Sequence, residues 1–354
     1  MIKKRLNAIY QSHKNEFSGT CLITRGAEIL LSESNGFANL DFNVANAMNT
    51  RFDTASVTKV FTAVAVLQLV ERGALRLDDK IHDILDLKGT AIPDDVLVKH
   101  LLNHTSGIAD DADEEAGEDY SALFVDKPNY AIRNCADFLP QFAYKSSNFK
   151  AGTNVRYNNC AFILLGLVIE RVVGMDYRSF VTAHVFKPAG MAHTYFGAKD
   201  EVCPNTAEGY FAVRDENGGF MKWKKNIYSC PPIGTADGGA FTTAGDLNMF
   251  ICALKNGTLL SPGYTDMLFT PQCAFTRQHD FGMWRTGYGF EFIESDGTVL
   301  CMYKEGVNSG VAAMCAYYPE LDICLNMLSN RDGSFWTICG ELQAVLLEER
   351  LKSK

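Results

Sequence analysis

The chain has 354 residues, 47% hydrophobic and 21% charged, which is enough for one large or two interlocked globular domains with a substantial core. Its formal net charge of −9 argues against a nucleic-acid-binding surface and gives no reason to expect attraction to an anionic membrane. No apolar run is long enough to span a bilayer, since the nearest, Cys160–Val173, is interrupted by Glu170 and Arg171.

The basic opening Met1-Ile2-Lys3-Lys4-Arg5 could begin a secretion signal. However, Leu6–His13 holds no uninterrupted apolar stretch and leads to no small-residue cleavage site, so an amphipathic first helix is expected. Next, Thr20–Thr24 and Glu28–Leu31, parted by Arg25-Gly26, read as two short strands and a turn. From Ser56 to about Val173 the texture is mainly helical. Val57, Val60, Phe61, Val64, Leu67 and Val70 form a stripe of helical period that stops at Gly73. Between the helices, seven of the ten residues Asp110–Asp119 are acidic and none is basic. A solvated loop is the expectation there, the alternative being a rim that biases the approach of charged substrates. Cys160–Ile169 is apolar almost all round, as in a helix buried on every side.

The last third returns to short β-rich segments, Tyr288–Ile293, Thr298–Tyr303, Gly310–Tyr317 and Asp322–Leu328, spaced as an antiparallel meander. A final helix is expected over Phe335–Leu351. Strands at both ends with helices between predict an α/β fold whose sheet is completed by the two termini. The corresponding division is 1–54 with 236–354 as an α/β domain and 55–235 as a mostly helical insertion. Eleven scattered cysteines, with no C-x-x-C pair, fit a reducing compartment better than a disulfide framework, so a cytoplasmic location is expected.

Three short patterns carry chemistry. Ser56 and Lys59, three residues apart at the start of a helix, share one face, close to the N–H groups that favour developing negative charge. A serine hydroxyl needs such a base, and a lysine can serve only if burial or nearby cations lower its pKa. In Tyr157-Asn158-Asn159, the Tyr157 phenol could shuttle a proton and the Asn159 amide could hold Lys59 and a substrate carbonyl. In Lys304-Glu305-Gly306, at a strand end, Lys304 could bind an anion and depress the tyrosine pKa, and Gly306 could let a substrate backbone lie close. Singly, each has a structural alternative: Ser56 a helix cap, Lys59 and Lys304 solvated, Tyr157 a buried anchor, Asn159 a cap.

Together and in this order, Ser-x-x-Lys, Tyr-x-Asn and Lys-x-Gly resemble the serine β-lactamase-like hydrolases: class C β-lactamases, D-Ala-D-Ala peptidases and related esterases. His100–Ile108, Lys187–Met191 and Gly238–Leu247 are similar to further segments of that family, so the resemblance covers nearly the whole chain. It implies a β-lactamase/transpeptidase-like fold with Ser56 as the acylated nucleophile. Lys59 and Tyr157 would share base and acid work, Asn159 would orient Lys59 and substrate, and Lys304 would steer Tyr157 and meet the substrate's anionic end. The backbone N–H groups of Ser56 and Val307 would form the oxyanion hole. No cofactor or metal is implied. His100 and His104, four apart, are better explained by the family-like loop than by a shared metal.

Glu305 stands where β-lactamases and peptidases usually carry Thr or Ser. Facing the pocket it would repel an anionic β-lactam; facing away, it would still remove the hydroxyl that helps bind a carboxylate. The expected function is therefore an esterase-like serine hydrolase acting on a small ester or amide through an acyl-enzyme. The alternatives are a D-amino-acid peptidase or amidase, a weak β-lactamase, or a penicillin-binding-like protein that holds its ligand without turnover. No Gly-x-Ser-x-Gly or His-Glu-x-x-His pattern points elsewhere.

Overall fold

The β-rich runs at the two ends of the chain pair with each other. In the computed structural model, which describes residues 2–352, eight strands form one antiparallel sheet. They are β1 (Gly19–Arg25), β2 (Glu28–Asn35), β3 (Arg277–His279), β4 (Gly282–Thr286), β5 (Glu291–Ser295), β6 (Thr298–Asn308), β7 (Val311–Tyr318) and β8 (Ile323–Ser329). Their spatial order is β2-β1-β8-β7-β6-β5-β4-β3, so N-terminal β1 lies against C-terminal β8 with Leu22 opposite Asn326. Five helices matter most: α1 (Ile2–His13), α2 (Thr58–Glu71), α3 (Asn159–Val173), α4 (Ala244–Lys255) and α5 (Phe335–Lys352).

Alternation along the strands divides the core in two. On β7, Ala313, Cys315 and Tyr317 face the cluster containing α2, α3 and α4, whereas Met314, Ala316 and Tyr318 face α1 and α5. Both faces are covered, so β7 and β8 are apolar almost without a break. Ile2, Leu6 and Tyr10, each four residues on from the last, are the buried positions of α1. The stripe expected on the second helix understates its burial, because every α2 residue from Thr58 to Leu69 is buried, Lys59 included.

Several boundaries differ from expectation. The segment from Tyr288 does not enter the sheet until Glu291, because Gly287–Phe290 turns back on itself, the Gly287 N–H donating to Phe290 O at 2.9 Å. Gly289 has φ +76°, and a Cβ there would lie 2.8 Å from the Ala63 Cβ of α2. The strand expected at 298–303 runs on to Asn308, placing Lys304–Val307 inside β6 rather than at its end. The hairpin of β3 and β4 was not anticipated. Neither was the one pairing Tyr210–Arg214 with Phe220–Lys225, which puts strands within a stretch expected to be mostly helical.

Candidate active site

Ser56 lies in a short 3-10 turn, Ala55–Val57, that leads into α2. Ala55 takes up φ +42°, a left-handed conformation uncommon for a residue with a Cβ, and its N–H is held by Asp53 Oδ1 at 2.8 Å. The Gly238–Thr242 segment clamps this turn from the other side. Thr54 N–H donates to Ala240 O (2.9 Å), Gly239 N–H to Ala55 O (3.2 Å) and Ala240 N–H to Thr58 Oγ1 (3.0 Å). Gly306 of β6 closes in from the sheet: a Cβ there would fall 2.1 Å from Thr54 O and 3.0 Å from Ser56 N. The close neighbour that requires glycine is thus the protein's own nucleophile turn, not the substrate backbone expected from the sequence. That approach brings Val307 beside Ser56 in the lining of the cleft.

The structure brings Ser56, Lys59, Tyr157 and Asn159 together. Tyr157 Oη donates to Ser56 Oγ at 2.7 Å, and Lys59 Nζ lies 3.1 Å from the same oxygen. Lys59 Nζ also bonds to Asn159 Oδ1 and to the backbone carbonyl of Asp237, both at 2.7 Å. The Lys59 side chain is 0% exposed, its nearest partners are neutral oxygens, and burial lowers its pKa to about 8. Burial raises the Tyr157 phenol well above its ordinary value, with Glu114 adding to the effect. The expectation that Lys304 would depress the tyrosine pKa is therefore corrected. At neutral pH the phenol keeps its proton, and Lys59 is the group closer to losing one.

Lys304 also differs from its expected role. It stacks 4.6 Å from the Tyr157 ring centroid, but its ammonium is paired with Glu291 Oε1 at 2.7 Å. Trp284 Nε1 donates to the other Glu291 oxygen at 2.8 Å. Burial alone would raise the Glu291 carboxyl; Lys304, with Trp284 and Arg277, outweighs it and the pKa is lowered, so the carboxylate is charged at neutral pH. A substrate carboxylate arriving at Lys304 would meet this counterion. Glu305 lies on the other face of β6, at a lip shared by the cleft and a shallow hollow under α5. Partial desolvation, with Glu291 and Glu114 nearby, raises its pKa.

The acidic run is the expected solvated loop over Glu114–Asp119, which are exposed, but not at its start, where Asp110 and Asp111 are buried. Asp110 is buried and accepts the N–H groups of Asn159 (2.8 Å) and Cys160 (3.0 Å), capping α3 beneath the cleft. Glu114 Oε1 accepts from Asn159 Nδ2 at 2.9 Å. Ligating atoms of Asp110, Asp111 and Cys160 lie within 4.8 Å of one another, but Asp110 is engaged in capping with both oxygens. His104 (φ +60°) is buried, and burial followed by the nearby Lys304 and Lys59 holds its pKa well below the ordinary value. Its Nδ1 accepts the Asn158 N–H at 3.2 Å, while His100 Nδ1 accepts from Leu97 N–H at 3.2 Å, so the two histidines brace separate backbone turns.

Sequence reasoning missed Glu291, Asp237 and Trp284 and undervalued Glu114. Of these only Glu114 carried a signal, its place in the acidic run. The Gly238-Gly239 motif pointed to the segment of Asp237 but not to its carbonyl.

Comparison with known proteins places the chain in a family. A penicillin binding protein from Bacillus halodurans has a similar structure, with a TM-score of 0.88 and 37% identity, covering 96% of this chain and 99% of that one. Penicillin-binding protein 4* of Bacillus subtilis is 32% identical over 199 residues, 54% of this chain but only 41% of that protein's length. The D-amino acid amidase of Ochrobactrum anthropi SV3, seen with L-phenylalanine amide, has a TM-score of 0.79, covering 99% of this chain and 100% of that one; at 18% identity the likeness is one of fold. The Beta-lactamase family model matches residues 10–348, and the chain belongs to that family.

Proposed function

We propose that the protein is a serine hydrolase of small esters or amides working through an acyl-enzyme on Ser56. The observation that carries this reading is the position of Ser56 Oγ, 3.1 Å from a lysine whose pKa is about 8 and 2.7 Å from a protonated tyrosine. Neutral Lys59 accepts the Ser56 proton as Oγ bonds to the acyl carbon. The N–H groups of Ser56 and Val307 take the developing oxyanion. Tyr157 Oη protonates the leaving oxygen or nitrogen as its bond to the acyl carbon breaks, and the proton held on Lys59 restores the phenol. Water then hydrolyses the ester on Ser56. A positioned base contributes about 10²–10⁴-fold in rate, and one oxyanion donor about 10²–10³-fold.

An esterase-like or amidase activity is favoured over β-lactam hydrolysis because Glu291 neutralises Lys304 where a β-lactam carboxylate would sit. The eleven unpaired cysteines support a reducing, cytoplasmic setting. Among the described residues no helix is long and apolar enough to cross a membrane.

A second reading, a penicillin-binding protein that is acylated without turnover, is favoured by the 37% identity to the Bacillus halodurans protein. One panel separates the two: p-nitrophenyl acyl esters, D-amino-acid amides and nitrocefin, with wild type and Ser56→Ala. Turnover of an ester or amide that disappears in Ser56→Ala supports the hydrolase. A long-lived Ser56 adduct with no released product supports the second reading, and turnover that survives the substitution overturns both.

A further inference from the structure

We propose that the hollow under α5 is a second part of the substrate site, which seats an uncharged apolar tail carried by the leaving group. The inference deepens the hydrolase reading and rests on it for the identity of the leaving side.

The cleft does not end at Lys304. Tyr303 stands opposite Glu291, the first residue of β5, and beyond it β6 is paired only with β7. The other edge of β6 is therefore open from Lys304 to Asn308. Around this edge the cleft continues to the opposite face of the sheet, since His279, Tyr303 and Glu305 line both the cleft and the hollow. The hollow has a volume of about 310 Å³, enough for part of a small molecule. Val307 lies beside Ser56, and Glu305 is two residues away on the same strand, so the lip is about 7 Å from the nucleophile turn. Tyr157 and Lys304 line the part of the cleft that opens onto this lip. Tyr157 protonates the leaving group, so the leaving group is the part of the substrate that points to the hollow.

The walls suit an apolar occupant. One stripe of α5, Phe335, Ile338, Leu342 and Leu346, packs on the sheet. The neighbouring stripe, Trp336, Gly340, Ala344 and Leu347, lines the hollow, and Phe281, Ile293 and Met314 stand across from it. Trp336 is 40% exposed there, an aromatic surface that the protein itself leaves uncovered. Gly340 is an independent sign of an occupant. It lies inside an 18-residue helix, where glycine is among the least favourable residues. A Cβ on it would meet nothing within 4 Å, so no packing within the protein calls for glycine. A ligand lying against the helix does call for it. Glu305 and Asp280 stand at the rim, so an anionic tail is repelled and a neutral one is admitted.

The test uses ethyl, butyl and octyl acetate below their solubility limits, with acetic acid release followed by pH-stat. Ethyl octanoate, an isomer of octyl acetate with the chain on the acyl side, is the control for general hydrophobicity. The three acetates pass through the same acyl-enzyme, so kcat/KM reports how the leaving group is bound. It should rise at least about tenfold from ethyl to octyl acetate, mostly through KM, and not for ethyl octanoate. Gly340→Phe fills the hollow while improving helix propensity. It should abolish the rise and leave ethyl acetate turnover unchanged. Trp336→Asp, which puts a charge in the hollow without filling it, should do the same. In parallel, 1-octanol is titrated against tryptophan emission in wild type, Gly340→Phe and Trp336→Phe. A saturable change is expected in wild type alone. No dependence on leaving-group length, an equal gain for ethyl octanoate, or a dependence that Gly340→Phe leaves intact overturns the proposal. Saturable 1-octanol binding without ester turnover would count against the hydrolase reading alone, and turnover without chain-length dependence against the hollow alone.

Discussion

Lys59 and Lys304 flank the Tyr157 ring, their ammonium groups 5.0 and 4.6 Å from its centroid, yet they are held in opposite electrostatic settings. Lys59 is buried against neutral oxygens from Ser56, Asn159 and Asp237, with no carboxylate bonded to it, and its pKa falls to about 8. Lys304 is nearly as buried but carries a counterion, Glu291, at 2.7 Å. Burial without a counterion makes a base; burial with one makes a fixed cation that can orient an aromatic ring and do little else. Two lysines that look equivalent in the sequence therefore divide the work of the site.

Removing the base tests the division most severely. Lys59→Met should lower kcat/KM on a neutral ester by about 10²–10⁴-fold, while Ser56 and Tyr157 remain in place. Gly306→Ala attacks the frame that joins the two lysines. A Cβ 2.1 Å from Thr54 O must push β6 off the nucleophile turn and move the Val307 N–H, costing about 10²-fold in kcat. Circular dichroism and the denaturation midpoint check that the fold survives. Giving Lys59 a counterion should make it resemble Lys304. Asn159→Asp raises the lysine pKa, so activity at pH 7 drops by about tenfold and is regained at higher pH. The smallest effect is expected from the converse change. Glu291→Gln frees Lys304 for a substrate carboxylate and should raise kcat/KM for an ester with an anionic leaving group about fivefold relative to a neutral one.

Much of this division could not be read from the sequence, for reasons specific to each residue. Ser56 and Lys59 were readable because helical spacing alone puts them together, and Tyr157-Asn158-Asn159 because it abuts an unmistakably buried helix. The sheet was readable where both faces are covered, since β7 and β8 are then apolar throughout. Arg277–Thr286 was missed because an edge hairpin of polar residues shows neither an apolar run nor alternation. The partner of Lys304 was missed because Glu291 lies on the neighbouring strand, and only the register that sets it opposite Tyr303, one residue off the lysine's row, reveals the pair. The expectation of a solvated loop at 110–119 holds for the exposed Glu114–Asp119 but misses the partners these carboxylates find, for a related reason. Acidic residues in sequence give no hint that one carboxylate caps α3, another is held by Arg156, and a third turns to Asn159.

The pH dependence of Ser56 acylation by a neutral p-nitrophenyl ester, followed as the burst of released nitrophenol, is the most direct test of Lys59 as the base. Because burial depresses the lysine pKa, the base form grows as pH rises. The rate constant should therefore climb through a midpoint near 8, level off above it, and lose this limb in Lys59→Met. A limb that stays unchanged in Lys59→Met, or a rate that rises only where the tyrosine ionises, would contradict the assignment.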